Sequence, residues 1–389
     1  MAALGSENAV SDALRYGACI LKAISPNDVG LTGAHQYGFY LPKSAWRMYS
    51  PQPPRKGVLH RHPVRVQWQD GQVTDSVVSW YGKGTRSEYR LTKFGRDFPF
   101  LRPDLVGSLL VLIPRSIDDF LAYVLESEEE IADIQAKLGV EIIDSWAVYR
   151  RELPPAVETE NKCVEREFSN FVARIAAFPS SLQFAACARS TLVKCVYNFM
   201  QRPSDDRLMR CVEQEYELFK LVERKLYEPE LSRTFKSIDE FLERANSILQ
   251  RRKSRAGLSL EHHVEGILAD AGIPFERQPK SVDGQPDIVI PSAREYHDPK
   301  WPNDKLFAVG VKRTCKDRWR QVLNEAIRLK RKHILTIQPG ISAKQLTEMC
   351  RAHVTVVVPQ ELHKKYPPEW RTGLMTVDRF IRTVRKALA

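Results

Sequence analysis

Three residues have types and spacing that suit one chemical task. Asp287 follows Pro286 and opens the apolar run Ile288-Val-Ile290. Lys312 closes a second apolar run, Leu306–Val311. Phosphodiester hydrolysis needs a divalent cation that polarises the phosphate and lowers the pKa of a water, and oxygen ligands with open positions supply it. A proline before Asp287 favours extended backbone at a strand start. Lys312 at the end of its strand could steady charge that develops on the phosphate or the attacking water. Alternate strand positions share a face, so a second acid two residues before the lysine would point the same way. That position is Gly310. Glu325, thirteen residues after the lysine, can bring the missing carboxylate from a helix expected over about 316–332. The backbone carbonyl of Val311 is a further candidate ligand. A surface Asp, a strand-end Lys and a solvated helical Glu would show the same spacing, so spacing alone leaves both readings open.

The neighbouring charges also have two readings. Lys316, Asp317 and Arg318 form a donor–acceptor–donor triplet just past the lysine. Such a triplet could read G·C pairs, because Lys and Arg donate to guanine and Asp accepts from cytosine. It is equally an ordinary helix-start charge cluster. Arg251, Arg252, Lys253 and Arg255 could hold phosphates ahead of a helix expected over 259–271, with Ser259 as its cap. Glu261 and Glu265 lie on that helix. Glu261 could approach the metal, or both acids could form a polar face with His262.

The chain has 389 residues and a net charge of +11. Between Phe241 and Leu335 there are 19 Lys and Arg against 12 Asp and Glu. This surplus favours a polyanionic partner and also fits a solvated basic surface. No apolar run approaches the ~18 residues that span a bilayer, and the N-terminus lacks a signal-peptide pattern. The seven cysteines form no CxxC pair, so neither a disulfide framework nor a zinc site is expected and a reducing cytosol fits best.

The first part, 1–150, reads as mostly β, with strands at Val64–Trp68, Val73–Trp80 and Ser108–Ile113 and a hairpin turn at Asp70-Gly71. A helix with Ser116 as its cap is expected over 116–125. Two prolines and scattered charge mark 151–160 as a linker. The second part, 161–389, begins with helices over 165–178, 208–226 and 238–249. Strands follow at 287–290, 306–311, 333–337 and 354–358, with a last helix from Val377. This order predicts an α/β domain with a central sheet and helices on both faces.

The Pro286-Asp287…Lys312 pattern resembles the PD-(D/E)xK nucleases. Longer stretches are more specific. Arg251–Glu261, Pro291-Ser-Ala-Arg-Glu-Tyr296-His-Asp298, Thr314-Cys-Lys-Asp-Arg-Trp-Arg-Gln-Val-Leu-Asn-Glu-Ala326 and Leu362-His-Lys-Lys-Tyr-Pro367 resemble the catalytic domain of EcoRII-type restriction endonucleases. Asn27–Tyr40 and Thr85–Thr92 resemble the N-terminal effector domain of the same family. The resemblance implies an α/β PD-(D/E)xK restriction-endonuclease-like C-terminal domain preceded by a mainly-β pseudobarrel that binds effector DNA. It implies a Mg2+-dependent type IIE enzyme, a homodimer that cuts double-stranded DNA at CCWGG-like sites. It further implies a cognate DNA methyltransferase in the same system and a prokaryotic cytoplasm. By matching positions, it implies a catalytic set of Asp287, Tyr296, Lys312 and Glu325. Base reading would fall to Lys316, Asp317 and Arg318, and effector binding to His35, Tyr40, Arg86, Glu88 and Arg90. Gly84 and Tyr89 replace lysines of the family's effector loop, which puts the strength or sequence of effector binding in doubt. A silent DNA-binding regulator and a structure-specific repair nuclease are the alternatives. The complete trio argues against the first and the 316–318 triplet against the second.

Overall fold

The structure is a computed structural model that describes residues 3–32, 37–84, 86–151 and 162–389. It divides into two compact units. One takes the described residues up to 151 with Gln338–Glu348 and Leu362–Gly373; the other takes 162–337, Met349–Glu361 and Leu374–Ala389. Most of the expected linker, residues 152–160, lies outside the described residues.

The first unit is mainly β. Its elements are α1 (Ala3–Tyr16), β1 (Ala18–Ala23), β2 (Phe39–Leu41), β3 (Leu59–Trp68), β4 (Val73–Tyr81), β5 (Glu88–Thr92), β6 (Leu109–Pro114), β7 (Asp119–Leu125), α2 (Glu128–Leu138) and β8 (Trp146–Arg150). They form one eight-stranded sheet in the order β2-β5-β4-β3-β7-β6-β1-β8. Phe39 of β2 and Ile20 of β1 stand far apart in that order, yet they belong to one buried cluster with Trp68, Leu91 and Phe120. The sheet therefore curls around a single core, as a pseudobarrel does. Its other face carries α1 and α2 over Leu21, Leu109, Val111 and Ile113.

The β3–β4 hairpin turns at Asp70-Gly71, where Gly71 takes a φ of +86° that glycine adopts without strain. The helix expected over 116–125 is instead β7, paired antiparallel with β6. Phe120, Ala122 and Val124 alternate into the core, a period of two that helical spacing had masked. The helix cap sits later, at Ser127, where Ser127 and Glu130 form a capping box for α2.

The second unit opens with α3 (Lys162–Arg174), α4 (Ser181–Cys195), α5 (Ser204–Leu231) and α6 (Ile238–Asp270). α4 lies where no helix is expected, and the helices expected over 238–249 and 259–271 are one continuous α6, in which Ser259 is buried rather than capping a second helix. The intervening basic run is held in the helix by pairs to α5: Arg252 with Glu223 and Arg255 with Glu215. Cys163 and Cys195 form a disulfide, Cα–Cα 5.6 Å, against the expectation of thiols only. Packing of α3 on α4 brings together two cysteines whose sequence separation gives no pairing signal.

Then come β9 (Glu276–Arg277), β10 (Ile288–Ile290), α7 (Ala293–His297), β11 (Phe307–Val311), β12 (Lys332–Leu335), β13 (Val354–Val357) and α9 (Val377–Leu388), while α8 (Ala343–Arg351), between β12 and β13 in the chain, falls mostly in the first unit. The five strands run β13-β12-β11-β10-β9. β11, β12 and β13 are parallel, and β10 is antiparallel to both neighbours. This is a mixed-sheet α/β core. Register places Val309 beside His333 and Gly310 beside Ile334. Leu335 faces apolar residues of α5, α6 and α9, including Leu208, Leu268 and Phe380. The opposite face is covered differently. Val289 and Ala308 there pack against Val282, Ala293, Tyr296, Ala326 and Leu329, which come from loops and the short α7. The long helix expected over 316–332 is absent: Arg318–Asn324 is a 3-10 segment and the chain beyond it is irregular. Among the described residues, no helix is long and apolar enough to cross a membrane.

Candidate active site

The loop-covered face of the second sheet gathers the chemistry. Asp287 stands just before β10 and is 8% exposed. Its Oδ2 accepts from the Val311 amide at 2.6 Å and from Lys312 Nζ at 2.7 Å. Lys312 continues the parallel pairing one residue past β11, because its amide donates to the Leu335 carbonyl. Strand alternation puts Ala308, Gly310 and Lys312 on one face. Two adjacent strand ends therefore hold the aspartate and the lysine against each other.

Glu325 reaches the same face by another route. It ends the 3-10 segment in extended backbone, φ −91° and ψ 146°. The carboxylate is thus delivered by an irregular segment and not, as expected, from within a helix. A Cβ built on Gly310 would meet Val322 Cγ2 at 2.7 Å and Glu325 Oε2 at 3.9 Å. Val322 and Glu325 fill the space that an acid at 310 would take. Glu325 is 7% exposed and its Oε2 is buried without a hydrogen-bond partner among the described residues. Burial pushes its carboxyl up to about 7; Lys312 acts against that rise and Asp287 adds to it.

These features suit a hard divalent cation. The donors are oxygens, and one of them is buried and unsatisfied beside a second carboxylate, a costly arrangement unless positive charge compensates it. Among the described residues, no three His, Cys, Asp or Glu gather around one point. Two carboxylates completed by waters and phosphate oxygens are a normal Mg2+ set. Glu261 was a candidate third ligand. Its pKa is raised by burial and then by the charge of Asp287, which puts it within electrostatic reach of the site. Its Oε2 accepts from Gln278 at 3.1 Å and from Arg277 at 3.5 Å, so one of its two oxygens is engaged within the protein. Val311 meets Asp287 through its amide.

Tyr296 is buried, and its hydroxyl is satisfied within the protein. It donates to Asp283 Oδ2 at 2.7 Å and accepts from the Arg328 amide at 3.0 Å. Lys316 and Asp317 lie in a turn after β11 and Arg318 begins the 3-10 segment, so the triplet is not at the start of an α-helix. Asp317 and Arg318 are exposed and Lys316 is half-buried.

The basic run divides. Arg251 stacks over Phe178, 4.3 Å from the ring centroid. Arg252 makes two bonds to Glu223, at 2.6 and 2.8 Å. Arg255 is 6% exposed and pairs with Glu215, so its expected phosphate role gives way to a structural one. Lys253 is half-buried on the same helix.

In the first unit, β2 and β5 place Tyr40 opposite Arg90. Arg90 Nε donates to Glu88 Oε1 at 2.9 Å and its Nη1 to the Gly38 carbonyl at 3.3 Å. Burial raises the pKa of Tyr40, Glu88 raises it further and Arg90 opposes them. Arg86 is exposed, with its guanidinium 5.9 Å from the Tyr81 ring centroid. Four of the five expected effector residues thus cluster along one strand pair and the turn before it. His35 lies outside the described residues.

Two further residues, neither of them expected there from the sequence, stand at the active face. Lys332 is buried, and its Nζ donates to the Leu323 carbonyl at 2.6 Å. Burial lowers its pKa while Glu325 raises it. A lysine at a strand position that faces inward was the signal available. Asp283 is the other; an Asp-Gly pair looks like any turn.

The family model described as EcoRII C terminal matches residues 219–381, and that described as restriction endonuclease EcoRII, N-terminal, matches residues 13–152. The type II restriction enzyme EcoRII of Escherichia coli is 32% identical over 379 residues, which cover 93% of this chain and 92% of that protein. Two solved structures are also similar. Metal-depleted Ecl18kI in complex with uncleaved, modified DNA shares 18% identity at a TM-score of 0.45, covering 57% of this chain and 83% of its own. The restriction endonuclease PspGI–substrate DNA complex shares 16% identity at a TM-score of 0.46, covering 54% and 93%.

Proposed function

The chain belongs to the EcoRII family of type II restriction endonucleases and is a site-specific deoxyribonuclease; from that premise we propose that it cuts double-stranded DNA at a CCWGG-like site with Mg2+, as a homodimer activated by a second copy of the site on its N-terminal unit. The observation that carries the chemistry is Glu325 Oε2, buried and unbonded beside Gly310, on the face that holds Asp287 and Lys312. Asp287 and Glu325 would hold the cation. When bound, the cation would polarise the scissile phosphate and acidify a water.

The protein's own part is positioning and charge. Asp287 fixes the Lys312 ammonium at the strand end. From there Lys312 would stabilise charge on the phosphate as water attacks in line, leaving 5′-phosphate ends. Lys316, Asp317 and Arg318 would read base edges from the turn after β11. Tyr40, Arg86, Glu88 and Arg90 would bind the effector copy, with His35 beside them. A cognate methyltransferase would protect the host's own sites in a prokaryotic cytoplasm. Incubation with plasmid DNA and Mg2+, followed by sequencing of the ends, tests the whole reading. Discrete fragments with a common CCWGG-like sequence support it. Shifted but uncut DNA, or random nicking, contradicts it.

A further inference from the structure

Glu325 lacks the usual means of holding a functional side chain. It is outside any helix, so no ladder of backbone bonds fixes it beyond its amide to the Val322 carbonyl at 3.2 Å. The residue after it, Ala326, has a φ of +43°, which is costly for a side-chain-bearing residue and persists only where surroundings enforce it. The turn at 282–285 supplies that enforcement. The Asp283 carbonyl accepts from the Ala326 amide at 2.7 Å. A Cβ on Gly284 would lie 2.5 Å from the Asn324 carbonyl oxygen and 2.8 Å from Glu325 Cα. The turn therefore presses directly on the backbone that carries the acid.

The far end of the brace is equally tied. Asp283 Oδ2 holds the Tyr296 hydroxyl, which in turn takes the Arg328 amide. The Arg328 guanidinium is spread over carbonyls of Glu295, Tyr296, Asp298 and Trp301 and the side chain of Asn303. Glu325 thus sits between an anchored Asp283 on one side and an anchored Arg328 three residues downstream.

We propose that Asp283 is a positioning residue of the active site, acting with Tyr296 to hold Glu325 in place, and that Tyr296 works through this brace without touching the DNA. This rests on the reading of Asp287 and Glu325 as cation ligands. Groups that orient metal ligands typically change metal affinity 10- to 100-fold when removed, so an effect of about tenfold is expected here.

The test is Mn2+ binding to the metal-free, full-length protein, followed by electron paramagnetic resonance, with no DNA or turnover involved. Asp283→Ala and Tyr296→Phe should each weaken binding about tenfold. Asp283→Asn keeps an oxygen that accepts from Tyr296 and should restore most of it. In a Glu325→Gln background neither change should weaken binding further. A purely structural role would not produce that dependence on Glu325. Wild-type affinity in Asp283→Ala, or an undiminished additional loss in the Glu325→Gln background, overturns the proposal. Should Asp283→Ala not fold, Tyr296→Phe carries the same test alone. Wild-type protein that binds no Mn2+, or Glu325→Gln that binds it normally, overturns the cation-site reading and the brace together.

Discussion

Lys312 and Glu325 answer to opposite demands. Lys312 is satisfied by Asp287, whereas Glu325 has a buried oxygen with no partner among the described residues. Lys312→Ala should lower cleavage by about 10²- to 10³-fold or more while leaving DNA binding intact, as measured by gel shift beside a cleavage assay. Near-normal cutting would remove Lys312 from the mechanism. For Glu325 the sign runs the other way in stability. Its ordinary carboxyl value is 4.5 and its folded value is about 7. Between those values the folded state holds a proton that the unfolded state has lost, so metal-free protein loses stability as pH rises through that window. Glu325→Gln should therefore melt higher than wild type in EDTA at pH 8, and the gap should close near pH 4. Asp287 and Lys312 were legible because a Pro-Asp and a strand-end lysine are local patterns. The setting of Glu325 was not, because it depends on Asp283 and Tyr296, which are distant in sequence.

At the scale of elements, β11 and the 3-10 segment share one small space. Val322 occupies the room beside Gly310, so even a methyl group there must displace it. Gly310→Ala should cost about 1–3 kcal/mol by overpacking and reduce cleavage, because Val322 and Glu325 move together. Chemical denaturation and a cleavage assay would register both, and an unchanged variant would refute the tight fit. Four of the five strands of this sheet were readable from short apolar runs flanked by turns, to within two residues; the two-residue β9 has no such run. The segment 318–325 misled because Trp319, Val322 and Leu323 have helical spacing, while tertiary bonds such as Lys332 to the Leu323 carbonyl hold it in another form. β7 misled in the same way, its alternation hidden among apolar residues on both phases.

At the scale of the molecule, the chain carries a curled, mainly β sheet and a mixed-sheet α/β core, and the two family models cover residues 13–152 and 219–381. Removing the chain up to about residue 160 should leave a folded, Mg2+-dependent nuclease that no longer responds to added effector DNA. A folded but inert fragment would contradict the division of labour. The change in periodicity near 150 and the prolines after it mark a shift from mostly β to helical pattern, but nothing local to 338–348 or 362–373 announces that these segments fall in the first compact unit. The disulfide was not legible either, since nothing local to Cys163 or Cys195 announces α3 beside α4.

The pairing of Asp287 with Glu325 is tested most directly by anomalous diffraction from crystals grown with DNA and Mn2+. A peak bonded to both carboxylates is the predicted result. A peak that touches Asp287 while Glu325 stays apart would contradict it.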